Sequence, residues 1–423
     1  MVNDNTGQAT EYLLAGWLID GSGGPVRKNV LVRIVDGRFA AIEPYRPDIL
    51  PETIKCTDLS HCTLIPPLVD SHVHLFMSGT IDHSRREWQL TAGYDELRPI
   101  IGQHLHDLFS HGVLAVRDGG DRGGFALRYR SEKEMHPGLV LKVAGRAWHN
   151  KGRYGALIGR PPAEGENLAG AYAGETGAID QVKLVNSGLN SLKIFGRQTP
   201  PQFTAEEIAA VVSAASRQGR KVMVHANGRE PVRLAVEAGC HSIEHGFFMG
   251  GENLRRMAEK GTFWVPTLFT MKAYGAHITS AQPGAERRVI DRNLNHQLDQ
   301  LAMARELGVR VALGTDAGSL GVLHGESMVE EMKLFKKAGY SLTETIRCAT
   351  STGAELLGIK DFGLLAPGRT ATFLVTRGAP GQLPRKLSYL EAIYREGMPS
   401  TLYRKNPVKH LAGRFLITGE NSY

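Results

Sequence analysis

Over the first 65 residues, apolar positions come in short alternating runs broken by turn residues. Residues 12–19 are apolar and closed by Asp20-Gly21, and residues 30–35 alternate up to Asp36-Gly37, a hairpin-type dipeptide. The last part of the chain resumes the pattern, with residues 372–375 and 400–403 reading as short strands between Gly/Pro breaks. Neither end is long enough to build a sizeable core alone. The two are therefore expected to pair as one small β-sandwich, residues 1–65 with 358–423, split by residues 66–357.

The middle of the chain has another rhythm. Strand-like apolar runs at 68–70, 112–117, 139–144, 191–195, 221–224, 240–244, 262–266 and 309–314 alternate with amphipathic helical patterns such as 205–218, 230–238, 253–260 and 294–307. Strands alternating with helices in this way predict a (β/α)8 TIM barrel. A doubly wound open sheet is the structural rival, weakened because no G-x-G-x-x-G follows any of the strands.

Composition narrows the classes. Of 423 residues 42% are hydrophobic, 22% charged and 7% aromatic, which excludes collagen-like, disordered and coiled-coil chains. Four cysteines, none in C-x-x-C, argue against a disulfide scaffold or a zinc ribbon. No stretch approaches the roughly 18 apolar residues of a membrane helix, and the first residues lack a secretory pattern, so a cytoplasmic location is expected. The net charge of +7 is spread along the chain. Its densest basic stretch, 395–410, reads as a solvated face, and no nucleic-acid partner is expected.

Candidate chemistry sits at the strand ends. His72 and His74 project from one face of a strand and can grip one ion. A second H-x-H, His104 and His106, falls in a helical run, where two positions lie about 200° apart around the axis, and reads as surface. With 16 histidines, chance alone gives roughly 0.6 such pairs. His61, His83, His111, His136, His277 and His296 are discounted likewise. Lys193 lies in SLKIF, His225 ends KVMV, His245 follows CHSIE, and Asp316 closes VALGT. Singly, each reads as a core histidine, a snorkelling lysine or a helix cap. Together, six strand-end donors in one barrel converge on one pocket.

The ordered set LVDSHVH, SLKIFG, VMVHANG, SIEHG and LGTDAG resembles the amidohydrolase superfamily of metal-dependent hydrolases. More narrowly it is similar to the branch of imidazolonepropionase-like proteins and Xaa-Pro and Xaa-Arg dipeptidases, and the likeness runs from about residue 12 to 376. The resemblance implies His72, His74 and Asp316 on a first metal and His225 and His245 on a second. It also implies Lys193 carboxylated by carbon dioxide (N6-carboxylysine) and bridging both ions. Nitrogen and oxygen donors without thiolate suit Zn²⁺ first, with Mn²⁺, Fe²⁺, Co²⁺ or Ni²⁺ by availability. The activity implied is hydrolysis of an amide, peptide-like C–N bond by a hydroxide bridging two metals, with Asp316 as general base and then acid. A mononuclear imidazolonepropionase-like cyclic amidohydrolase or deaminase is the alternative, and a catalytically dead scaffold a third reading.

Departures from the family pattern include Pro67 for a glycine, Thr372 in the return to the β-sandwich, and Asn227, where the dipeptidases commonly place a tyrosine. The loop GRAWHNKGRYGALIGRPPAEGE, with Arg146, His149, Lys151, Arg153, Tyr154 and Arg160, reads either as a solvated basic loop or as recognition of an anionic, carboxylate-bearing amide. His149, Tyr154, Asn227 and His324 are the expected substrate contacts, His324 placed either to reach the site or to cap a helix. Relatives often form symmetric multimers, which implies a homo-oligomer.

Overall fold

The computed structural model describes residues 2–3, 9–47, 55–132, 138–277 and 285–406. Both ends of the chain build one mixed eight-stranded sheet. Its strands are β1 (Val2–Asn3), β2 (Ala9–Leu18), β3 (Arg27–Val35), β4 (Arg38–Pro44) and β5 (Cys56–Ile65) from the N-terminal part. β15 (Phe373–Arg377), β16 (Ala392–Arg395) and β17 (Met398–Pro399) come from the C-terminal part. The order is β17-β16-β15-β5-β2-β3-β4, with β1 on β2, so β15 against β5 joins the two ends. The far edge returns as well: Phe39 N–H donates to Arg369 O at 2.9 Å, and Gly368 N–H to Phe39 O at 2.7 Å. Alternation along β3, in which Val30, Val32 and Ile34 are buried, supplies one face of the enclosed core. There Phe373 stacks on Tyr394 at 4.5 Å and lies 5.8 Å from Phe39.

The middle of the chain is α/β with parallel pairing throughout. β6 (Leu68–Val73), β7 (Val113–Asp118) and β8 (Val140–Val143) form one sheet. β9 (Ala147–Trp148), β10 (Gly159–Arg160), β11 (Gln181–Val185), β12 (Lys221–Ala226), β13 (Ser242–His245) and β14 (Phe263–Val265) form a second. Backbone bonds cross between them on both sides. Asp180 N–H donates to Val143 O at 2.9 Å. On the other flank the extended segment 309–316 accepts from Trp264 N–H at Arg310 O (2.9 Å) and from Ser71 N–H at Leu313 O (3.0 Å). These strands read as near-continuous apolar runs because helices cover the sheets.

Most predicted strands and helices fall where the pattern put them, but residues 309–314 carry only an isolated bridge at Val311, 400–403 follow β17 without forming a strand, and a third run fails altogether. Residues 191–195 form bends, and the strand in that position of the order is β11, QVKLV, buried at every residue. The basic stretch from Arg395 is not uniformly solvated: Arg404 is buried and ion-paired to Glu326, while residues 407–410 and His136 lie outside the described residues. Among the described residues no helix is long and apolar enough to cross a membrane.

Phe373→Ala removes the centre of the sheet's aromatic stack and is expected to cost about 3–5 kcal/mol, Phe373→Leu less than about 1.5. Urea unfolding followed by tryptophan fluorescence measures both.

Candidate metal centre

The site is built on strand ends. His72 and His74 come from β6 and the residue after it, His225 from β12, His245 from the end of β13, and Asp316 from the segment beyond residue 314. Ring centroids stand 5.3 Å apart for His72 and His74, 5.1 Å for His72 and His245, and 4.7 Å for His225 and His245. Asp316 Oδ1 lies 3.6 Å from His72 Nε2 and 3.5 Å from His74 Nε2. One ligand atom from each of His72, His74 and Asp316 falls within 4.8 Å of the others.

The outer ring nitrogens are held. His72 Nδ1 meets Glu244 Oε2 at 2.7 Å, His74 Nδ1 meets Gly120 O at 2.8 Å, and His245 Nδ1 meets Thr267 Oγ1 at 2.7 Å. Each contact directs the Nε2 lone pair inward, the orientation a metal ligand requires. His72 Nε2 is buried with no hydrogen-bond partner. His225 differs, with its Nε2 rather than its Nδ1 on a carbonyl, 3.3 Å from Gly188 O. The backbone comes close too: a Cβ on Gly119 would stand 2.9 Å from His74 Cε1 and 3.1 Å from His72 Nε2. His245 (φ 67°) and Asp316 (φ 58°) both occupy the left-handed region, at about 1–3 kcal/mol each.

Glu244 is fully buried beneath the imidazoles. Besides His72 it accepts from Arg117 Nη2 at 2.8 Å and Ser242 Oγ at 2.5 Å, and Arg117 also donates to Ser71 O and to Ser242 Oγ. Asp70 ties β6 to the Asp316 segment by accepting from Thr315 N–H at 2.9 Å and Thr315 Oγ1 at 2.6 Å. None of these residues was among the sequence-based candidates. Their signal was weak: Arg117 and Glu244 are charged residues inside otherwise apolar strands.

The lysine assignment is corrected. Lys193 is exposed, in a bend at the cavity mouth, because its segment never joins a sheet. The buried lysine is Lys183 of β11, whose Nζ has no hydrogen-bond partner. It lines a cavity of about 580 Å³ together with His74, His225, His245 and Asp316. Burial lowers the pKa of Lys183 and raises that of Asp316. Burial, reinforced by the Lys183 charge, holds His74 down to about 4 and His225 to about 3, with His72 also well below its ordinary value. His245 is lowered by burial, then by His225. All four imidazoles are thus neutral at pH 7, the form that binds a cation.

The expected substrate contacts divide. Tyr154 lines the cavity, its ring 5.3 Å from His225, and Asn227 lines it while its Oδ1 accepts from Phe247 N–H at 3.0 Å. His149 is buried, with Nδ1 2.9 Å from Asn150 O and Nε2 unpartnered, and is not on the cavity wall. His324 lies behind the site, 3.3 Å from His74 O and stacked at 3.9 Å on His104. His104 is therefore buried rather than on the surface, and so is His111, which pairs with Glu326. Of the loop cations, Arg153 is exposed on Pro200 O and Arg160 pairs with Glu175 at 2.9 Å; neither lines the cavity.

The amidohydrolase family profile matches residues 63–405. The chain belongs to the amidohydrolase family. It is similar to the ochratoxinase of Aspergillus niger, 26% identical over 382 residues that cover 82% of this chain and 76% of the relative. It is also similar to the imidazolonepropionase of Salinispora arenicola, 26% identical over 426 residues, covering 94% and 95%. Among solved structures, a Xaa-Pro dipeptidase with methionine bound in its active site superposes with a TM-score of 0.79 at 27% identity, over 93% of this chain and 100% of that one. This amidohydrolase is accordingly a hydrolase of carbon–nitrogen bonds with a small-molecule amide substrate, in a family that is typically metal-dependent.

Arg117→Met leaves Glu244 buried without its guanidinium and is expected to destabilise the protein by about 3–5 kcal/mol. The double variant Arg117→Met/Glu244→Gln should recover part of that loss, read as denaturation midpoints at pH 7.

Proposed function

We propose that this chain hydrolyses an amide bond at a centre of two divalent ions held by His72, His74, Lys183, His225, His245 and Asp316. The observation that carries the reading is the buried, unpartnered Nζ of Lys183 in the cavity it shares with three of the imidazoles and Asp316. An ammonium has donors only and cannot ligate a cation. The carbamate formed from its neutral amine and carbon dioxide is carboxylate-like, and burial favours that neutral amine. Donors of nitrogen and oxygen alone suit Zn²⁺ first. When bound, such ions lower the pKa of a water and polarise the carbonyl under attack.

The chain's own residues supply the rest. Asp316 turns Oδ1 toward His72 and His74, while Oδ2, 3.0 Å from Ser319 Oγ, takes the proton of the attacking water and returns it to the leaving amine. Glu244, Gly120 O and Thr267 Oγ1 hold three imidazoles in the required tautomer. The same reading takes 66–357 as one closed eight-stranded barrel, supported by the backbone bonds on both flanks, and 1–65 with 358–423 as a β domain beside it. A substrate carrying an amino-acid carboxylate is supported by the methionine held in the related dipeptidase.

A second reading, one ion, rests on His72, His74 and Asp316, the one group among the described residues whose ligand atoms all lie within 4.8 Å of one another. Metal analysis separates the two. Two ions per chain are expected, falling to one or fewer in Lys183→Met and unchanged in Lys193→Met; one ion per chain that survives Lys183→Met favours the second. Asp316→Asn should lower kcat for amide hydrolysis by about 10²–10⁴-fold. Removing the metal with a chelator should abolish turnover, and Zn²⁺ should restore it.

A further inference from the structure

Three cations line the cavity among the described residues: Lys183, Lys193 and Arg86. Lys183 lies within the proposed centre, and Lys193 is exposed at the mouth, where water screens it. Arg86 differs from both. It is half-buried on the helix His83–Thr91, which starts at the Asp82 cap shortly after β6. Its Nη1 donates to the Ser78 and Gly318 carbonyls, which fixes the guanidinium plane against the loop that carries Asp316. Among the described residues no carboxylate forms an ion pair with Arg86, and neither Nε nor Nη2 has a hydrogen bond.

A guanidinium anchored through one nitrogen at a cavity wall, with two donor positions unused, is free to receive a ligand's oxygens. Its planar fork matches a carboxylate with two parallel bonds, which a lysine cannot reproduce. The same cavity is lined by Tyr274, which acts on Arg86 electrostatically, and by Met271, Leu192 and Leu320. Those side chains present apolar surface and one phenol. Asp316, the one carboxylate on this cavity wall among the described residues, acts on Arg86 electrostatically without pairing with it, and in the proposed centre it is engaged as a metal ligand.

We infer that Arg86 is the specificity-determining residue that binds the free carboxylate of an N-acylated amino acid with an apolar side chain. This deepens the amide-hydrolase reading and rests on it for the substrate's role. It also moves substrate recognition from the loop of Arg153 and Arg160 to the helix that follows the first strand of the central parallel sheets.

The test uses binding of product-like probes, so that it does not depend on turnover. L-Methionine and L-methioninol, which lacks the carboxylate, are titrated by calorimetry into metal-loaded wild-type protein, Arg86→Met and Arg86→Lys. Arg86→Met is expected to weaken L-methionine on the order of 10- to 100-fold and to leave L-methioninol unchanged, with Arg86→Lys recovering only part. In parallel, KM for N-acetyl-L-methionine should rise by a similar factor, with kcat changed far less. Equal weakening of both probes, or of neither, overturns the assignment and reduces Arg86 to a brace between two loops. A wild type that binds L-methionine through Arg86 yet cleaves no amide would sink the proposed activity and leave the carboxylate site standing.

Discussion

The site depends on one buried ion pair. Arg117 and Glu244 reach toward each other from β7 and β13, and Glu244 spends its other oxygen on His72 Nδ1. Two charges out of water are tolerated only when each is fully hydrogen-bonded, and here Ser71 O and Ser242 Oγ complete the set. The consequence is directional. Because Glu244 accepts the hydrogen bond of Nδ1–H, His72 presents a bare Nε2, without a hydrogen-bond partner, toward His74 and Asp316. The pair therefore converts parallel strands from opposite parts of the chain into a fixed orientation of a single imidazole.

Strain is concentrated at the same rim. His245 and Asp316 sit in a backbone region that residues with a Cβ seldom occupy. Their neighbours over-determine them: Trp264 Nε1 and Gln297 Nε2 both donate to His245 O, and Asp316 N–H donates to His72 O at 2.7 Å. At His245, the last residue of β13, left-handed φ turns the chain out of the sheet directly after the ligand position. Gly119 contributes by omission, since any side chain there would press on His72 and His74.

Much of this was legible in the sequence. His72 and His74 were readable because alternation in a strand puts both on one face, and His225, His245 and Asp316 because each ends an apolar run. The lysine was misread for a physical reason. SLKIF and QVKLV both set a lysine between apolar neighbours, and composition does not reveal which of them enters a sheet. Only β11 pairs on both sides, with β9 and β12, so only Lys183 is driven into the interior. His104 escaped notice because the helical argument showed that it does not share a face with His106; it did not show which of the two faces inward. Arg117 and Glu244 were invisible for the opposite reason: a charge inside an apolar strand gains meaning only once its partner from another strand is known.

The distribution of charge around the cavity separates chemistry from recognition. At the floor, burial keeps the imidazoles neutral and works against charge on both Lys183 and Asp316. A set of groups that burial holds in their neutral forms is a poor salt bridge and a good cradle for a cation. Toward the wall the polarity inverts, for there the fixed charge is the Arg86 guanidinium, held on two carbonyls and felt by Asp316 but ion-paired to no carboxylate among the described residues. The scissile bond of the proposed substrate thus lies between a cation-accepting floor and an anion-accepting wall. That gradient orients a molecule with a carbonyl at one end and a carboxylate at the other, without any contact to the groups in between.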